Sequence, residues 1–432
     1  MDTERAVVPA VRQALAAACP SLSEGSAADA VAGVIPSFVA SPASTPEASA
    51  LLRAAAAAGL AVVPRGAGTG LSWGWPPSRC DLVLDLRSMD QVLEHAAGDL
   101  VARVQAGVTI GQLAGALASA GQELALDAPA DATVGGVVAT GTAGPRRFRY
   151  GSPRDLVIGL TLVRADGVIA HSGGKVVKNV AGYDIGKLFS GSQGTLGLIT
   201  EATFRLHPLP AAVAWVTAEF GPADRDGAVA AVAAAARSSL VPSAVELDWP
   251  AGSPQSPRPL RVGVLLEGTS PGVAERAEQM SGLLAAAGGA TGVAETAPAR
   301  WGSLPSPDAV VRVSFWVSAL GSVLEALIAA GASAGVRLAV TGSAGAGILQ
   351  ACPDPAAGDE AAVRFVTALR ERLAGAAGSA GPRGSVAVLA APPAVLAATR
   401  DATVPGSALM QAVKDQFDPH RRLFPGRFGG GI

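Results

Sequence analysis

Val62-Val63-Pro64-Arg65-Gly66-Ala67-Gly68-Thr69-Gly70-Leu71 is the stretch on which the reading of this chain turns. The apolar run Leu60 to Val63 reads as a buried strand that breaks at Pro64 into a loop with glycine at every second position. Glycine has no Cβ, so such a loop can take positive φ angles and turn its amide N–H groups inward. Successive inward N–H groups form a concave nest suited to an anion, most often a phosphate. Each hydrogen bond to a charged oxygen contributes roughly 1.5–3 kcal/mol, so a few backbone donors hold a diphosphate. Two better-known phosphate loops do not fit. A dinucleotide-binding turn needs a third glycine opening into a helix, but Leu71 stands there, and Ser72-Trp73-Gly74-Trp75-Pro76-Pro77 cannot start one. A Walker loop needs Ser or Thr after Gly-Lys, whereas Gly174-Lys175 is followed by Val176, and Ile169 occupies the first glycine position. A glycine-rich turn without a ligand also satisfies this loop taken alone.

Composition narrows the setting. At 432 residues the chain exceeds one compact core and suggests two or three domains. Hydrophobic residues make up 49% but aromatics only 4%, which points to tight alanine-rich packing rather than a few large anchors. A net charge of −2 offers no basic face for nucleic acid or anionic lipid. Cys19, Cys80 and Cys352 are far apart, so neither a disulfide framework nor a zinc site is expected, and a reducing cytosol fits. The start, Met1-Asp2-Thr3-Glu4-Arg5, lacks the basic run of a secretory signal. The uncharged stretch Val104 to Gln122 is broken by Gly107, Gly111, Gly115 and Gly121, and reads as a strand end plus a helix rather than a membrane span.

Taken in order, residues 1–34 read as a helical lead-in. Ile35 to Ala40 follows as a short strand. Thr45 is the expected N-cap of a helix with Pro46 at its first position, ending at Gly59. Leu82 to Leu86 and Leu100 to Val104 read as further strands, and Thr109 caps a helix ending at Gly121. This alternation with short links describes an α/β or α+β domain. A second small-residue stretch runs from Asp131 to Gly144, where nearly every side chain is apolar, absent or a small hydroxyl. It suits a backbone lying against a flat ligand, or a crowded loop crossing. The cluster Arg146, Arg147, Arg149 and Arg154, with Tyr150, either solvates a face or meets a phosphate or carboxylate. A third stretch, Gly182 to Glu201, runs into the alternating strand Ile199 to Leu206, and Pro208 and Pro210 close the domain.

With three such stretches in order, the chain resembles the flavoprotein superfamily of vanillyl-alcohol oxidase and p-cresol methylhydroxylase. The matching motifs are Pro64-Arg65-Gly66-Ala67-Gly68-Thr69-Gly70, Ala132-Thr133-Val134-Gly135-Gly136 and Gly191-Ser192-Gln193-Gly194-Thr195-Leu196-Gly197-Leu198-Ile199-Thr200-Glu201. Within it the chain is similar to the glycolate oxidase and D-lactate dehydrogenase group. Trp73-Gly74-Trp75-Pro76-Pro77 and Lys175 to Asp184 resemble the FAD-binding small subunit of glycolate oxidase.

The resemblance implies an α+β protein with a two-subdomain FAD-binding domain of the p-cresol methylhydroxylase type (35–210). It also implies an antiparallel-sheet cap domain with helices on one face (211–400) and a C-terminal segment (401–432) returning to the FAD domain. Candidate cap strands are Ala214–Phe220, Pro259–Leu266, Val310–Val317 and Arg337–Val340, alternating with helices at Gly227–Arg237, Pro271–Ala286, Gly321–Ala330 and Glu360–Leu373. The closing segment Phe417-Asp418-Pro419 to Leu423-Phe424-Pro425-Gly426-Arg427 carries Phe424 where the family usually has Asn. By the same resemblance, amides of Arg65, Gly66, Ala67, Gly68, Thr69 and Gly70 hold the FAD diphosphate. Thr133, Gly135, Gly136 and Thr140 line the flavin, and Ile199 meets the nucleotide through its backbone. Some relatives bond a loop histidine to the flavin; Thr69 stands there, so the resemblance implies non-covalent FAD.

Oxidation of a 2-hydroxy acid on flavin needs hydride transfer and a base for the hydroxyl proton. The family's catalytic branch places paired histidines in the cap, but the four histidines here, His95, His171, His207 and His420, all fall outside it. That absence, with the small-subunit resemblance, points to an FAD-binding subunit that assists oxidation of glycolate or a related 2-hydroxy acid. The catalytic base then belongs to a larger FAD-containing partner, with room for an iron–sulfur subunit and for membrane association of a cytoplasmic complex through its partners. No metal site and no catalytic residue are assigned. Arg147 and Arg149 are the candidates for a substrate carboxylate, and Lys178 and Tyr183 for the flavin's surroundings. Two other functions compete. One is a stand-alone FAD-dependent 2-hydroxy-acid oxidase or dehydrogenase. The other is a serine hydrolase using Ser270 of Gly268-Thr269-Ser270-Pro271-Gly272, with Asp354 and His420 following in order, although Ser270 before Pro271 is equally a helix N-cap.

Overall fold

The computed structural model describes residues 2–174, 184–252, 258–374, 384–400 and 406–428, without the side chains of residues 2–8. Lys178 and Tyr183 lie outside the described residues. The chain forms two units: Met1–Ala143, Ser152–Leu209 and Asp401–Ile432 make the first, and Gly144–Gly151 with Pro210–Arg400 the second. Two assignments differ from the sequence reading. The helical lead-in packs as part of the first unit, and Gly144–Gly151 leaves the FAD-binding stretch to join the cap.

In the first unit, β1 (Leu22–Glu24), β2 (Phe38–Ala40), β3 (Val62–Arg65) and β4 (Leu82–Asp85) form a sheet in the order β1-β2-β4-β3. The last three are parallel and β1 runs antiparallel to β2. Parallel neighbours need a crossover, and α2 (Thr45–Ala57), after α1 (Asp2–Ala18), supplies one between β2 and β3. Leu15 of α1 and Leu51 and Leu52 of α2 are buried against Leu82 and Leu84 of β4. The cap of α2 is Ser44, whose side chain accepts from the Glu47 N–H at 3.3 Å, not Thr45 as expected. Thr45 is taken by a tertiary contact instead: its hydroxyl donates to the buried Thr200 Oγ1 at 3.0 Å.

A second sheet of this unit is antiparallel throughout. With β5 (Val92–Ala96), β6 (Val101–Gln105), β7 (Gln122–Glu123), β8 (Val157–Val163), β9 (Ile169–Gly173), β10 (Leu198–Arg205) and β11 (His207–Pro208), its order is β5-β6-β10-β8-β9, and β7 pairs with β11 separately. Central β10 is buried over most of its length, although its sequence alternates. α3 (Ile110–Ala118) starts with the Thr109 cap, reinforced by Gln112 in a reciprocal capping box. The second small-residue stretch contains a helix, α4 (Val134–Thr140).

The second unit is one eight-stranded sheet, antiparallel at every pairing. It includes the strands read from sequence and also Ala244–Trp249, Ala290–Ala294, Ile348–Pro353 and Gly384–Ala390. Ala290–Ala294 is an edge strand exposed at all five positions, so no burial pattern marks it in the sequence. Helices Arg225–Arg237, Ser270–Ala286, Leu320–Ala334 and Asp359–Ala374 accompany the sheet. Val317–Ala334 is apolar enough to span a membrane by composition alone, but Leu320, Val323, Leu324 and Leu327 on it are buried in the protein core.

The tail returns to the first unit. In the helix Ser407–Phe417, Lys414 is fully buried, and its Nζ donates to Asp418 Oδ2 (2.7 Å), Thr195 O (2.7 Å) and Leu423 O (2.9 Å). Asp418, equally buried, also accepts from the Leu423 N–H at 2.7 Å. All three ammonium protons are satisfied, which meets the condition for tolerating a buried ion pair on the cation side, while Asp418 Oδ1 has no partner among the described residues. Replacing Lys414 with Met leaves a buried carboxylate alone and is expected to cost about 3–5 kcal/mol. The double change Lys414→Met/Asp418→Leu is expected to cost less than the two single changes summed. Denaturant unfolding of the four proteins measures both, and an additive double mutant would refute the coupling.

Candidate cofactor site

β3 sits at an edge of its sheet, where a proline is tolerated because no ladder bond is lost. The tail covers part of that edge: Val62 donates to Arg422 O at 2.7 Å and Phe424 donates to Val62 O at 2.9 Å. The strand does not break at Pro64 as the sequence suggests: β3 stays in register with β4 through Pro64 and Arg65, and Arg65 leads into the glycine loop. Arg65 is held in an ion-paired trio, 3.2 Å from Asp29 and 3.0 Å from the buried Asp85. Burial alone would raise the Asp85 pKa, but hydrogen bonds from Arg87 and Arg65 outweigh it and hold the carboxyl below its usual range. The loop therefore starts from a fixed and ionised base.

Beyond Arg65, the backbone N–H groups of Gly66, Ala67, Gly68, Thr69 and Gly70 donate to no protein acceptor among the described residues. Gly68 takes φ +84°, the left-handed region that favours glycine, and its carbonyl accepts from Leu71 N–H at 3.0 Å to close the turn. The space beside the loop is kept clear by the absence of side chains. A Cβ on Gly66 would stand 1.9 Å from Thr133 Oγ1.

This loop forms one wall of a cleft with about 720 Å³ of empty space, part of it open to solvent. All eleven residues assigned to the cofactor from sequence line it: Arg65, Gly66, Ala67, Gly68, Thr69 and Gly70 from the first stretch, Thr133, Gly135, Gly136 and Thr140 from the second, and Ile199 from the third. The stretches are joined by their backbones. Gly191 N–H donates to Val138 O (3.0 Å) and Gln193 N–H to Ala139 O (2.7 Å), which fixes the third stretch against α4. Gly135 N–H donates to Ala106 O (2.8 Å), which fixes α4 against the end of β6. Thr140 turns its hydroxyl back to Gly136 O at 2.8 Å, a satisfied group on the cleft wall.

Sequence reasoning left out Gln193, Gly194, Phe424 and Arg427, which also line the cleft. Arg427 is 2% exposed. Its Nε donates to Gln193 Oε1 (2.7 Å), one terminal nitrogen to Gly70 O (2.9 Å) and the other to Leu71 O (3.1 Å) and Trp75 O (3.3 Å). The guanidinium also lies 4.5 Å from the centre of the Phe424 ring. Burial pushes its pKa down to about 10, still far above neutrality, so it is charged. The only sequence signal was its place in the closing motif. Phe424 has φ +43°, where the family's usual Asn is better tolerated. Its ring, 3% exposed, packs with Val63, Val83 and Cys80, which offsets that strain.

Arg147 and Arg149 belong to the second unit, whereas the cleft's lining residues belong to the first. There Arg149 donates to Ser243 Oγ (3.4 Å) and lies over Tyr150, whose hydroxyl donates to the buried Glu267 at 3.0 Å. Arg146 pairs with the same Glu267 at 3.5 Å. Ser270 and Asp354 have other roles in the second unit. Ser270 is the first residue of its helix, after Thr269 as N-cap, which corrects the reading of Ser270 as the cap. Asp354 caps its own turn at Ala356 N–H (3.0 Å) and pairs with Arg337. His420 belongs to the other unit.

Residues 36–173 match the family described as FAD binding domain. The chain is 38% identical over 223 residues to glycolate oxidase subunit GlcD of Bacillus subtilis, covering 50% of this chain and 46% of that protein. It is 41% identical over 132 residues to glycolate oxidase subunit GlcE of Escherichia coli, covering 30% and 38%. The chain thus matches less than half the length of these curated relatives. Its fold is that of p-cresol methylhydroxylase, solved with substrate bound: TM-score 0.75 over 98% of this chain and 97% of that one, at 15% identity.

The residues present fit FAD. A cleft cleared of side chains is lined by a loop whose amides have no acceptor among the described residues and by a buried cation, and each suits a flexible dinucleotide with a diphosphate. Two outcomes test the site. Gly66→Ala is expected to lower the flavin content of purified protein at least tenfold, and Thr133→Ala added to it to restore most of the loss by removing the clashing hydroxyl. Acid precipitation is expected to give a yellow supernatant and a colourless pellet, as the threonine at position 69 implies; a yellow pellet would show a covalent bond.

Proposed function

We propose that this chain, whose residues 36–173 match the family described as FAD binding domain, is the FAD-binding subunit of a 2-hydroxy-acid-oxidising complex, with glycolate as the leading substrate. The observation that carries this is the cleft itself, where three separated runs of small residues surround one space beside a row of unbonded amides. FAD held there supplies the hydride acceptor for converting an alcohol carbon to a 2-oxo acid. The chain's own part is to bind. The loop amides take the diphosphate, the small residues of α4 leave room for a flat ring, and Arg427 supplies positive charge.

Among the described residues, the polar side chains on the cleft wall are Arg65, Thr69, Thr133, Thr140, Gln193 and Arg427. A general base for a hydroxyl proton is a His, Glu, Asp, Lys or Tyr near its substrate, and no histidine lies between residues 211 and 400. We therefore assign the base to a larger partner chain that also carries FAD, with an iron–sulfur subunit as a further candidate. Similarity to two named subunits of glycolate oxidase supports an assembly of this kind. Three buried free thiols suit a reducing, cytoplasmic setting.

The isolated chain is expected to be yellow, with one FAD per chain, and to show no turnover with glycolate or D-lactate and an artificial electron acceptor. Co-expression with the chains that co-purify with it is expected to bring turnover. Sustained turnover by the isolated chain would overturn the subunit reading in favour of a stand-alone dehydrogenase, and a colourless chain would overturn both.

A further inference from the structure

The cleft contains two guanidinium groups in different electrostatic states. Arg65 is matched by the carboxylates of Asp29 and Asp85. Arg427 has no carboxylate within ion-pair distance among the described residues; its partners are three carbonyl oxygens, an amide oxygen and a phenyl ring. A buried cation without a counter-ion is a costly arrangement, and proteins keep such groups where an anion completes them. The matching anion class follows from the neighbouring wall, where five consecutive backbone N–H groups also lack an acceptor. Both features call for negative charge in the same cavity, and both are made in part by the same loop, because Arg427 binds the carbonyls of Gly70, Leu71 and Trp75.

The backbone around Arg427 is under constraint. Gln193, its side-chain partner, has φ +53°, and Phe424, on which it stacks, has φ +43°. Non-glycine residues hold such angles only where the surroundings enforce them. The tail is enforced here by the edge bonds to Val62 and by the buried Lys414–Asp418 pair. An arginine anchored in this way cannot swing out to solvent, so its charge stays in the cavity.

We propose that Arg427 is the electrostatic anchor of the dinucleotide site: it pins the far end of the glycine loop to the tail and supplies the unmatched positive charge that a bound diphosphate neutralises. This rests on the cleft being the FAD site. The two roles are separable, because Lys keeps the charge but loses the planar fork that reaches several carbonyls.

The test uses the full-length apoprotein, titrated with FAD by flavin fluorescence quenching at 20, 100 and 400 mM NaCl, for the wild type, Arg427→Met, Arg427→Lys and Gly66→Val. Thermal melts report folding. Arg427→Met is expected to weaken FAD binding at least tenfold at 20 mM salt and to flatten the fall of affinity with salt, since the matching charge is gone. Arg427→Lys is expected to keep the wild-type salt dependence while binding FAD several-fold more weakly at every salt concentration. Gly66→Val is expected to abolish binding. Equal FAD affinity in Arg427→Met and wild type, or a loss with unchanged salt dependence, would overturn the proposal, the second result assigning Arg427 a structural part only. If Arg427→Met does not fold, Arg427→Lys decides, since a flattened salt dependence there would also refute it. Should Gly66→Val bind FAD like the wild type, the site assignment fails instead, which separates the two conclusions.

Discussion

Backbone N–H groups without a protein acceptor are rare in folded chains, because each one kept from water costs about 1–3 kcal/mol. The run from Gly66 to Gly70 is arranged around that cost. Its residues line a cleft, where water or a ligand can meet their amides, and the space beside it is kept clear by small residues. The clearance between Gly66 and Thr133 is so small that one methyl group would close it. The structure around the loop follows from keeping it open without letting it collapse: a paired Arg65 at one end, an anchored Arg427 at the other, and α4 tied by its backbone to both neighbours.

The tail gives this arrangement its rigidity. Lys414 reaches Thr195 across 219 residues of sequence, and Arg427 reaches Gly70 across 357. Long-range polar bonds of this kind are costly to form in an unfolded chain and strong once desolvated. They make the first unit a closed circuit, in which the tail from Lys414 to Arg427 completes a sheet edge, a core and a cofactor wall together. Phe424 shows the compromise involved. A residue poorly suited to its backbone angle is kept there by the hydrophobic cluster beneath it and by the guanidinium above it.

Where expectation and structure part, tertiary contact explains the difference. Thr45 looked like a cap because its residue type and the following proline fit, but a buried hydrogen bond to Thr200 claims its hydroxyl, and Ser44 caps instead. Gly144–Gly151 is continuous in sequence with the second small-residue stretch, yet Tyr150 and Arg146 are tied to Glu267, and these bonds place the segment in the second unit. Strand Ala290–Ala294 escaped notice because an exposed edge carries no alternation of burial.

By itself the sequence carried the cofactor class through the resemblance of three motifs to a flavoprotein family, and it marked a candidate nest, because a nest of amides needs glycines and close packing needs small side chains, and both requirements are local. It also determined most cap helices, whose periodicity needs no distant partner. Only the tertiary structure decided that three runs spread over more than a hundred residues share one cleft, that Arg427 closes it, and that the arginines before Tyr150 belong to the second unit. A charge acquires its role from what lies beside it in space, and for Arg427 those neighbours are hundreds of residues away along the chain.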